Sequence, residues 1–305
     1  MSEREIGRAV QIGDLRQLQR NRFVAVAVWD DLWPESRHLV ELSAAVAEMR
    51  DGEGVASYAS AGALRELPFY RHTPESVHLT VPAGRRMSSR PGLRRHHDRL
   101  PEDDIDTMFG IRCTSLERTT FDLARTLSME AAVAVADAAL RKTAMVEGEY
   151  DGLAAEAWRE RMLERCARSR GMRGIRQAES VIRFADGRSE SPGEAVGRLQ
   201  LSRLGFRRLR LQVPVPGPSG NPYRVDLEIE DVGTFFEFDG HTKYLEESLR
   251  SGRTVEQVVL DEKRREDWIR GTTQKRFVRA ESSHVVTPSA LAKRLAAFGV
   301  VPPVR

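Results

Sequence analysis

Cysteine is nearly absent from the 305-residue sequence: Cys113 and Cys166 are far apart and form neither a CxxC pair nor a Cys/His cluster. We therefore expect two reduced thiols and neither a zinc site nor a disulfide framework. Long apolar runs are also missing. The longest, FVAVAVW from Phe23, ends at Asp30 and Asp31, well short of the roughly 18 residues that cross a bilayer. The amino terminus has no apolar segment typical of a secretory signal, so we expect a cytoplasmic protein with no membrane partner.

A large excess of one charge is missing as well. The formal net charge is +3, yet arginine is concentrated in several stretches and the pI is about 9.0. Such local basic patches favour an anionic partner such as nucleic acid, although a run of charge is more often a solvated face. Hydrophobic residues make up 40% of the chain and charged residues 30%, which is typical of globular proteins, and the length favours two domains.

The pattern of apolar residues changes along the chain and predicts an α/β protein in three segments. Residues 1–145 read as an α+β domain with a poorly patterned start, in which FVAVAVW resembles a strand. Residues 146–188 read as a charged helical linker. From residue 189 to residue 305 helices alternate with strands, which predicts an α/β domain of a common size.

A basic segment, AGRRMSSRPGLRRHHDRLPEDD, lies within the first domain and predicts an exposed loop or hairpin, since glycine, proline and serine mark turns. Its arginines could hold a phosphate backbone, a contact that carries no sequence information. The candidates are Arg85, Arg86, Arg90, Arg94 and Arg95.

Two predicted strands of the second domain carry acids at alternate positions. In YRVDLEIE the acids Asp226, Glu228 and Glu230 share one face, and Val225, Leu227 and Ile229 share the other. In TFFEFDG we expect Phe236 and Phe238 to face the core and Glu237 and Asp239 to lie on the opposite face.

A short hairpin is expected to bring the two acidic faces together. A tight turn centred between Asp231 and Val232 sets Asp226 directly opposite Glu237, with about 5 Å between their Cβ atoms. Because like charges at this spacing repel, something positive should compensate them. Mg²⁺ or Mn²⁺ held by Asp226, Glu237 and Asp239 is one interpretation. A solvated face with lysine and arginine partners is the other.

Further candidates flank the acidic strands. Glu194 stands three residues after Ser191 and completes a predicted capping box at a helix start. Lys243, or Lys263 with Arg265, could supply positive charge to a phosphate or orient a water. Lys263 and Arg265 are two positions apart on a helix, so at most one of them should point into a site. His241 could act as a base or contact phosphate.

The pattern SPGE, RVDLEIE, FFEFDGHTKY, LDEKRRED and FVRAES resembles the very-short-patch-repair-like branch of the PD-(D/E)XK nuclease superfamily, and in particular an uncharacterised actinobacterial group within it. The resemblance covers residues 189 to about 298 and implies a restriction-endonuclease-like domain with a mixed central sheet. It implies Glu194 as the helix carboxylate and Asp226 and Glu237 as the motif acids. Asp239 stands where the superfamily has lysine, so Lys243 or Lys263 would have to replace that amine.

The segments VASYASAGALRELPFY, VHLTVP, RPGLRRHH and GIRCTSLERTTFDLAR resemble the AbiEi-type antitoxin and transcriptional-regulator family over residues 38 to about 142. That family generally begins with a winged helix-turn-helix, and here the first 35 residues are too short for a complete one.

Two functions follow from these resemblances. The first is a Mg²⁺- or Mn²⁺-dependent DNA endonuclease in which Glu194, Asp226, Glu237, Lys243 and Lys263 are catalytic, and Arg265 joins the basic segment in contacting DNA. The alternative is a non-catalytic DNA-binding regulator of antitoxin type with a degenerate nuclease fold. The sequence leaves a homodimer, the DNA target and a partner toxin open.

Overall fold

The structure is a computed structural model that describes residues 1–49, 54–81, 88–240 and 254–303. The chain divides into two compact units: the first comprises Met1–Leu127 and Glu160–Ser180, and the second comprises Ser128–Arg159 and Val181–Arg305. The predicted linker, residues 146–188, therefore contributes to both units. The predicted α/β class is confirmed, and among the described residues no helix is long and apolar enough to cross a membrane.

The first unit combines five helices with seven strands within the described residues. They are α1 (Glu3–Gln11), β1 (Leu15–Gln19), β2 (Arg22–Ala25), α2 (Val26–Asp31), α3 (Pro34–Val46), β3 (Val55–Ala56), α4 (Tyr58–Leu64), β4 (Val77–Thr80), β5 (Leu93–His96), β6 (Ile105–Met108), β7 (Ile111–Thr114) and α5 (Leu116–Thr126). Parts of α7 (Gly152–Arg168) and α8 (Ile175–Phe184) complete it.

A five-stranded sheet in the order β5-β4-β3-β7-β6 organises the first unit. The β3–β4 and β6–β7 pairs are antiparallel, whereas β3–β7 and β4–β5 are parallel. Its core packs α3 and α4 on the sheet through Leu42, Leu64, Leu79 and Leu93. Residues 93–96 of the basic segment form the edge strand β5, whereas the sequence predicts an exposed loop or hairpin for the segment.

The segment FVAVAVW, predicted as a strand, is only partly a strand. Strand β2 ends at Ala25 and the remaining residues form α2, because a short apolar run fits a strand and a buried helix equally well. Trp29 of this helix is buried, and the guanidinium groups of Arg16 and Arg37 lie 4.5 and 5.6 Å from its ring centroid.

The second unit begins with a long helix and ends in an α/β sandwich. Its elements are α6 (Met129–Ala144), β8 (Met145–Val146), β9 (Glu149–Tyr150), the remaining parts of α7 and α8, α9 (Pro192–Arg203), β10 (Leu209–Val215), β11 (Tyr223–Ile229), β12 (Thr234–Phe238), α10 (Val255–Thr273), β13 (Arg276–Ala280) and α11 (Pro288–Ala296). The sheet order is β10-β11-β12-β13, with antiparallel pairs followed by one parallel pair. The predicted mixed sheet is confirmed.

Both faces of this sheet are covered. Phe235 and Phe236 are consecutive on β12 and each is 1% exposed, although successive side chains of a strand point to opposite faces. Phe236 packs on α9, where a Cβ added to Gly197 would lie 3.0 Å from the phenyl ring. Phe235 shares a buried cluster with Ile269 of α10 and Phe277 of β13. The prediction of an amphipathic β12 is therefore wrong, because α10 covers the face on which Glu237 lies.

Candidate functional site

The two acidic strands meet in the predicted register. β11 pairs antiparallel with β12, and Leu227 lies opposite Phe236. The same register continued by one residue sets Asp226 opposite Glu237, as the sequence predicts. The Asp226 carboxylate also accepts a 3.0 Å hydrogen bond from the backbone N–H of Phe238. The hairpin thus brings the two motif acids to the carboxyl end of β12.

An arginine from α10 neutralises Glu237. The Arg265 guanidinium lies 2.6 Å from one Glu237 oxygen and 2.8 Å from Glu262, and it also donates to the backbone carbonyl of Arg224. Lys263 is exposed. Arg265 and not Lys263 therefore points into the site, where its guanidinium contacts two carboxylates of the protein. Its contact with nucleic acid stays a prediction.

A second arginine comes from β13 and was missed by sequence reasoning. β12 and β13 are parallel, and Arg279 is the register partner of Glu237. Its guanidinium lies 3.7 Å from Glu237, 3.7 Å from Asp239 and 2.9 Å from Glu266, and it also contacts Glu262. Local pattern could not reveal this residue, because the whole of α10 separates the two strands in sequence.

Arg265 and Arg279 form one ion-pair network with four carboxylates, of which both arginines contact Glu237 and Glu262. The Glu237 side chain is largely buried, with 8% of the residue exposed. Burial raises the pKa of the Glu237 carboxyl, while its hydrogen bond from Arg265 opposes that rise. For Arg265, burial acts to lower the pKa, but the bond and charge of Glu237 outweigh it and raise the pKa above its ordinary value. The arrangement resembles a desolvated ion pair whose members depend on each other.

The network borders a cleft of about 260 Å³, which we call the acidic cleft. Its lining residues come from the start of α9 and from all four strands and α10: Glu190, Gln212, Arg224, Asp226, Glu237, Phe238, Asp239, Glu262, Arg265 and Arg279. Asp226, Glu237 and Asp239 are thus gathered at one place, together with Glu262 of α10, which the sequence did not single out.

Glu194 belongs to the helix start. Ser191 is the N-cap, and its hydroxyl accepts a 3.2 Å hydrogen bond from the backbone N–H of Glu194. The Glu194 carboxylate accepts a 2.8 Å bond from the N–H of Glu190, one residue earlier than a capping box requires. Glu190, rather than Glu194, lines the acidic cleft. Glu194 therefore stabilises the turn that presents Glu190.

The described residues do not fit a preformed magnesium site. Glu237 is bonded to Arg265, Asp239 lies near Arg279, and Asp226 accepts from a backbone N–H. Within the described ranges, no group of three histidine, cysteine or acidic residues is placed to hold a metal ion. A guanidinium on the carboxylate supplies the positive charge that Mg²⁺ would supply. Lys243 and His241 lie outside the described residues.

The basic segment is only partly described, since Arg85 and Arg86 lie outside the described residues. Arg90 binds the side chain of Gln19 at 2.6 Å and that of Glu48 at 3.1 Å. Arg94 is exposed on β5, and the Arg95 guanidinium donates to the carbonyl of Ser88. Arg90 is therefore held against β1, and the segment does not present all of its arginines on one free surface.

The β1–β2 hairpin is a basic feature that sequence reasoning did not identify. The strands pair antiparallel, and Asn21 at the tip has a φ of 56°, a conformation that asparagine adopts more readily than most residues. Arg20 and Arg22 flank it and are exposed. The alternation of arginine with a turn residue in QRNRF was the signal available in the sequence.

Comparison with known proteins finds one family model that matches part of the chain and two proteins that are similar over most of it. Residues 56–183 match the family model described as "AbiEi antitoxin C-terminal domain". Two proteins of Mycobacterium tuberculosis are similar over most of the chain: "Uncharacterized protein MT2308" of strain CDC 1551 / Oshkosh and "Uncharacterized protein Rv2248" of strain ATCC 25618 / H37Rv. Each is 29% identical over 254 residues, which are 79% of this chain and 88% of the relative. These matches support the antitoxin resemblance and add nothing to the endonuclease resemblance.

Proposed function

We propose that the protein is a non-catalytic DNA-binding regulator of antitoxin type, in which the nuclease-like second unit serves as a scaffold. The observation that supports this most is the match of residues 56–183 to the antitoxin domain. A partner toxin follows from that resemblance. DNA is the second partner that we propose, and a homodimer is left open.

The chemistry of the acidic cleft supports a scaffold. Both arginines of the network are bonded to carboxylates of the same cleft, so little of their charge is left to bind a phosphodiester. The acids are likewise engaged, because the Glu237 side chain binds Arg265 at 2.6 Å. Metal binding would have to displace a buried guanidinium, which costs free energy and leaves that guanidinium without its partner.

We place the DNA contact on the first unit, at the β1–β2 hairpin. Arg20 and Arg22 are exposed at its tip, and Arg90 lies beside it through its bond to Gln19. Helix α1 precedes the hairpin and has no buried residue. A helix followed by a basic hairpin offers cations to the phosphate backbone, the contact that dominates nonspecific affinity.

The salt dependence of DNA binding tests the contact. Fluorescence anisotropy with a labelled duplex would be measured at several salt concentrations for the native protein and for Arg20→Ala/Arg22→Ala. Loss of two phosphate contacts should reduce the slope of log K against log salt by about 2. The matched control is Arg173→Ala/Arg176→Ala, which removes two exposed arginines elsewhere in the first unit. An equal change in both double variants would refute the hairpin contact.

The alternative function is a Mg²⁺- or Mn²⁺-dependent endonuclease. The observation that favours it is the placement of Asp226 opposite Glu237 beside a cleft. It requires Lys243 or Lys263 to act where Asp239 stands, and Lys263 is exposed on α10. Cleavage of DNA that depends on Asp226 would replace the regulator proposal.

A further inference from the structure

The first unit contains a second polar cavity, of about 590 Å³, a size common among small-molecule sites. We call it the histidine pocket. The side chains that give it its chemistry are Tyr58, Arg71, His72, His78, Arg94 and His96. It belongs to none of the sites described above, although Arg94 is part of the basic segment.

Two of its imidazoles are bonded to each other. His78 Nδ1 and His96 Nε2 are 3.0 Å apart, in diagonal positions on the adjacent strands β4 and β5. One ring must donate and the other accept, so the accepting ring keeps one N–H for a ligand, and the second nitrogen of the donating ring is an acceptor. The His96 ring also stacks on Tyr58, with 4.0 Å between centroids. The imidazole pair is therefore held in a fixed orientation.

The pocket wall is anchored in unusual backbone conformations. Tyr58 has a φ of 49° and Arg71 also has a φ of 49°, a left-handed region that such residues rarely adopt and that often marks functional sites. The Tyr58 hydroxyl donates a 2.9 Å bond to Asp98 and accepts one from Arg125. These two hydrogen bonds fix the hydroxyl of Tyr58, and the ring of Tyr58 lines the cavity.

The two arginines of the pocket differ from those of the acidic cleft. Neither Arg71 nor Arg94 forms an ion pair within the described part of the chain, and both are exposed. Glu75 is the acid among the described lining residues, which also include the hydroxyls of Thr73 and Ser76. The Thr126 hydroxyl already donates to the backbone carbonyl of Asp122. The lining therefore has an excess of positive charge and of hydrogen-bond donors.

We propose that the histidine pocket binds a phosphomonoester group, carried by a free mononucleotide or by the end of a nucleic-acid strand. Arg71 and Arg94 pair with the phosphate oxygens, because guanidinium groups match their geometry. The remaining N–H of the imidazole pair and the hydroxyls of Thr73 and Ser76 supply further hydrogen bonds. This site is separate from the DNA contact of the proposed function and does not depend on it.

The ionisation of the imidazoles agrees with this role. Burial, followed by the neighbouring His96 and Arg94, lowers the pKa of His78 to about 3. Burial also lowers the pKa of His96 to about 4, partly opposed by Asp98. Both rings are neutral near pH 7, so the positive charge of the empty pocket comes from the arginines, and a bound phosphate would favour protonation of the rings.

Isothermal titration calorimetry of the full chain with AMP, inorganic phosphate and adenosine tests the proposal. AMP and phosphate should bind, and adenosine should not. Arg71→Ala and Arg94→Ala should each weaken AMP binding at least tenfold. Arg112→Ala, an exposed arginine of β7 outside the pocket, should bind AMP like the native chain. Adenosine binding as tightly as AMP, or unchanged AMP affinity in both pocket variants, would overturn the proposal.

A second measurement distinguishes the sources of the phosphate. A 5′-phosphorylated oligonucleotide and its 5′-hydroxyl counterpart would be titrated while histidine ring nitrogens are followed by NMR. Selective movement of the His78 and His96 signals with the phosphorylated strand, but not with AMP, assigns the site to strand ends. Movement with AMP assigns it to free nucleotides. No movement of either signal with any probe at millimolar concentration would overturn the proposal.

Discussion

The acidic cleft of the second unit and the histidine pocket of the first unit both contain arginines, but the arginines differ in what they contact. In the cleft, Arg265 lies 2.6 Å from the Glu237 carboxylate and Arg279 lies 2.9 Å from the Glu266 carboxylate. In the pocket, Arg71 and Arg94 form no ion pair within the described residues and are exposed. One region satisfies its own charges, and the other leaves cations for a ligand.

This difference teaches that residue type alone does not reveal a site. Acids on adjacent strands suggest a metal centre. In the folded chain, however, the parallel strand β13 places Arg279 beside these acids. Histidines beside many arginines suggest a solvated surface. The sheet, however, brings the rings of His78 and His96 within hydrogen-bond distance. The neighbours supplied by tertiary structure decide whether a charged group is available.

The largest expected effect comes from breaking the cleft's ion pair. Arg265→Ala leaves the buried Glu237 without its guanidinium and should lower the free energy of unfolding by about 3 to 5 kcal/mol. Urea denaturation followed by circular dichroism measures it. Arg264→Ala is the matched control, because Arg264 is exposed and pairs with Asp261 at 3.3 Å, and it should cost less than about 1 kcal/mol. If Arg265→Ala lowered the free energy of unfolding no more than Arg264→Ala does, the Arg265–Glu237 pair would not stabilise the fold.

A smaller effect concerns pH and His38, which is 1% exposed and bonded to Ser60 at 2.9 Å. Burial and, to a smaller extent, the neighbouring His72 lower the pKa of His38 to about 4. As pH falls, the unfolded chain therefore binds a proton at His38 before the folded chain does. The contribution of neutral His38 to the free energy of unfolding is present above the ordinary pKa and is lost as pH falls towards the folded pKa. Between pH 7 and pH 5 the loss should be about 2 kcal/mol.

The His38 contribution is isolated by comparison with His38→Gln. The variant should lose less stability than the native chain between pH 7 and pH 5 in urea titrations, because the other titrating groups are the same in both. His97→Gln, an exposed histidine, should behave like the native chain. Equal losses in the native chain and His38→Gln would contradict the lowered pKa.

The smallest effect is expected on DNA binding. Arg94 lines the histidine pocket and Arg95 is bonded to Ser88, so Arg94→Ala/Arg95→Ala should change the salt slope by about 1 or less, compared with about 2 for the hairpin variant. Anisotropy titrations under the same conditions would compare the two. If the salt slope changed more in Arg94→Ala/Arg95→Ala than in Arg20→Ala/Arg22→Ala, the DNA contact would lie on the basic segment and not on the hairpin.

Local pattern was enough to predict several parts of the second unit. Ser191 caps α9, and the hairpin register that sets Asp226 opposite Glu237 follows from alternation and a short turn. Each depends on residues close together in sequence, where backbone geometry leaves few choices. Both cysteines are buried, and they are not joined by a disulfide in the described part of the chain.

The rest depended on pairings between distant segments. The burial of Phe235 requires α10 on the second face of the sheet, and Arg279 reaches the cleft only through the parallel β12–β13 pair. The histidine pocket likewise requires β4 beside β5. No local periodicity encodes such contacts, which is why the sequence left both a metal and nearby lysine or arginine partners open as the compensating charge.

Incubation with supercoiled plasmid tests the central claim, that the protein binds DNA without cutting it, most directly. Native protein and Asp226→Ala would be assayed with Mg²⁺, Mn²⁺ or a chelator, and both band shift and nicking would be read from the same gels. We expect both proteins to shift the plasmid and leave it supercoiled under every condition. Metal-dependent nicking by the native protein that Asp226→Ala abolishes would contradict the account.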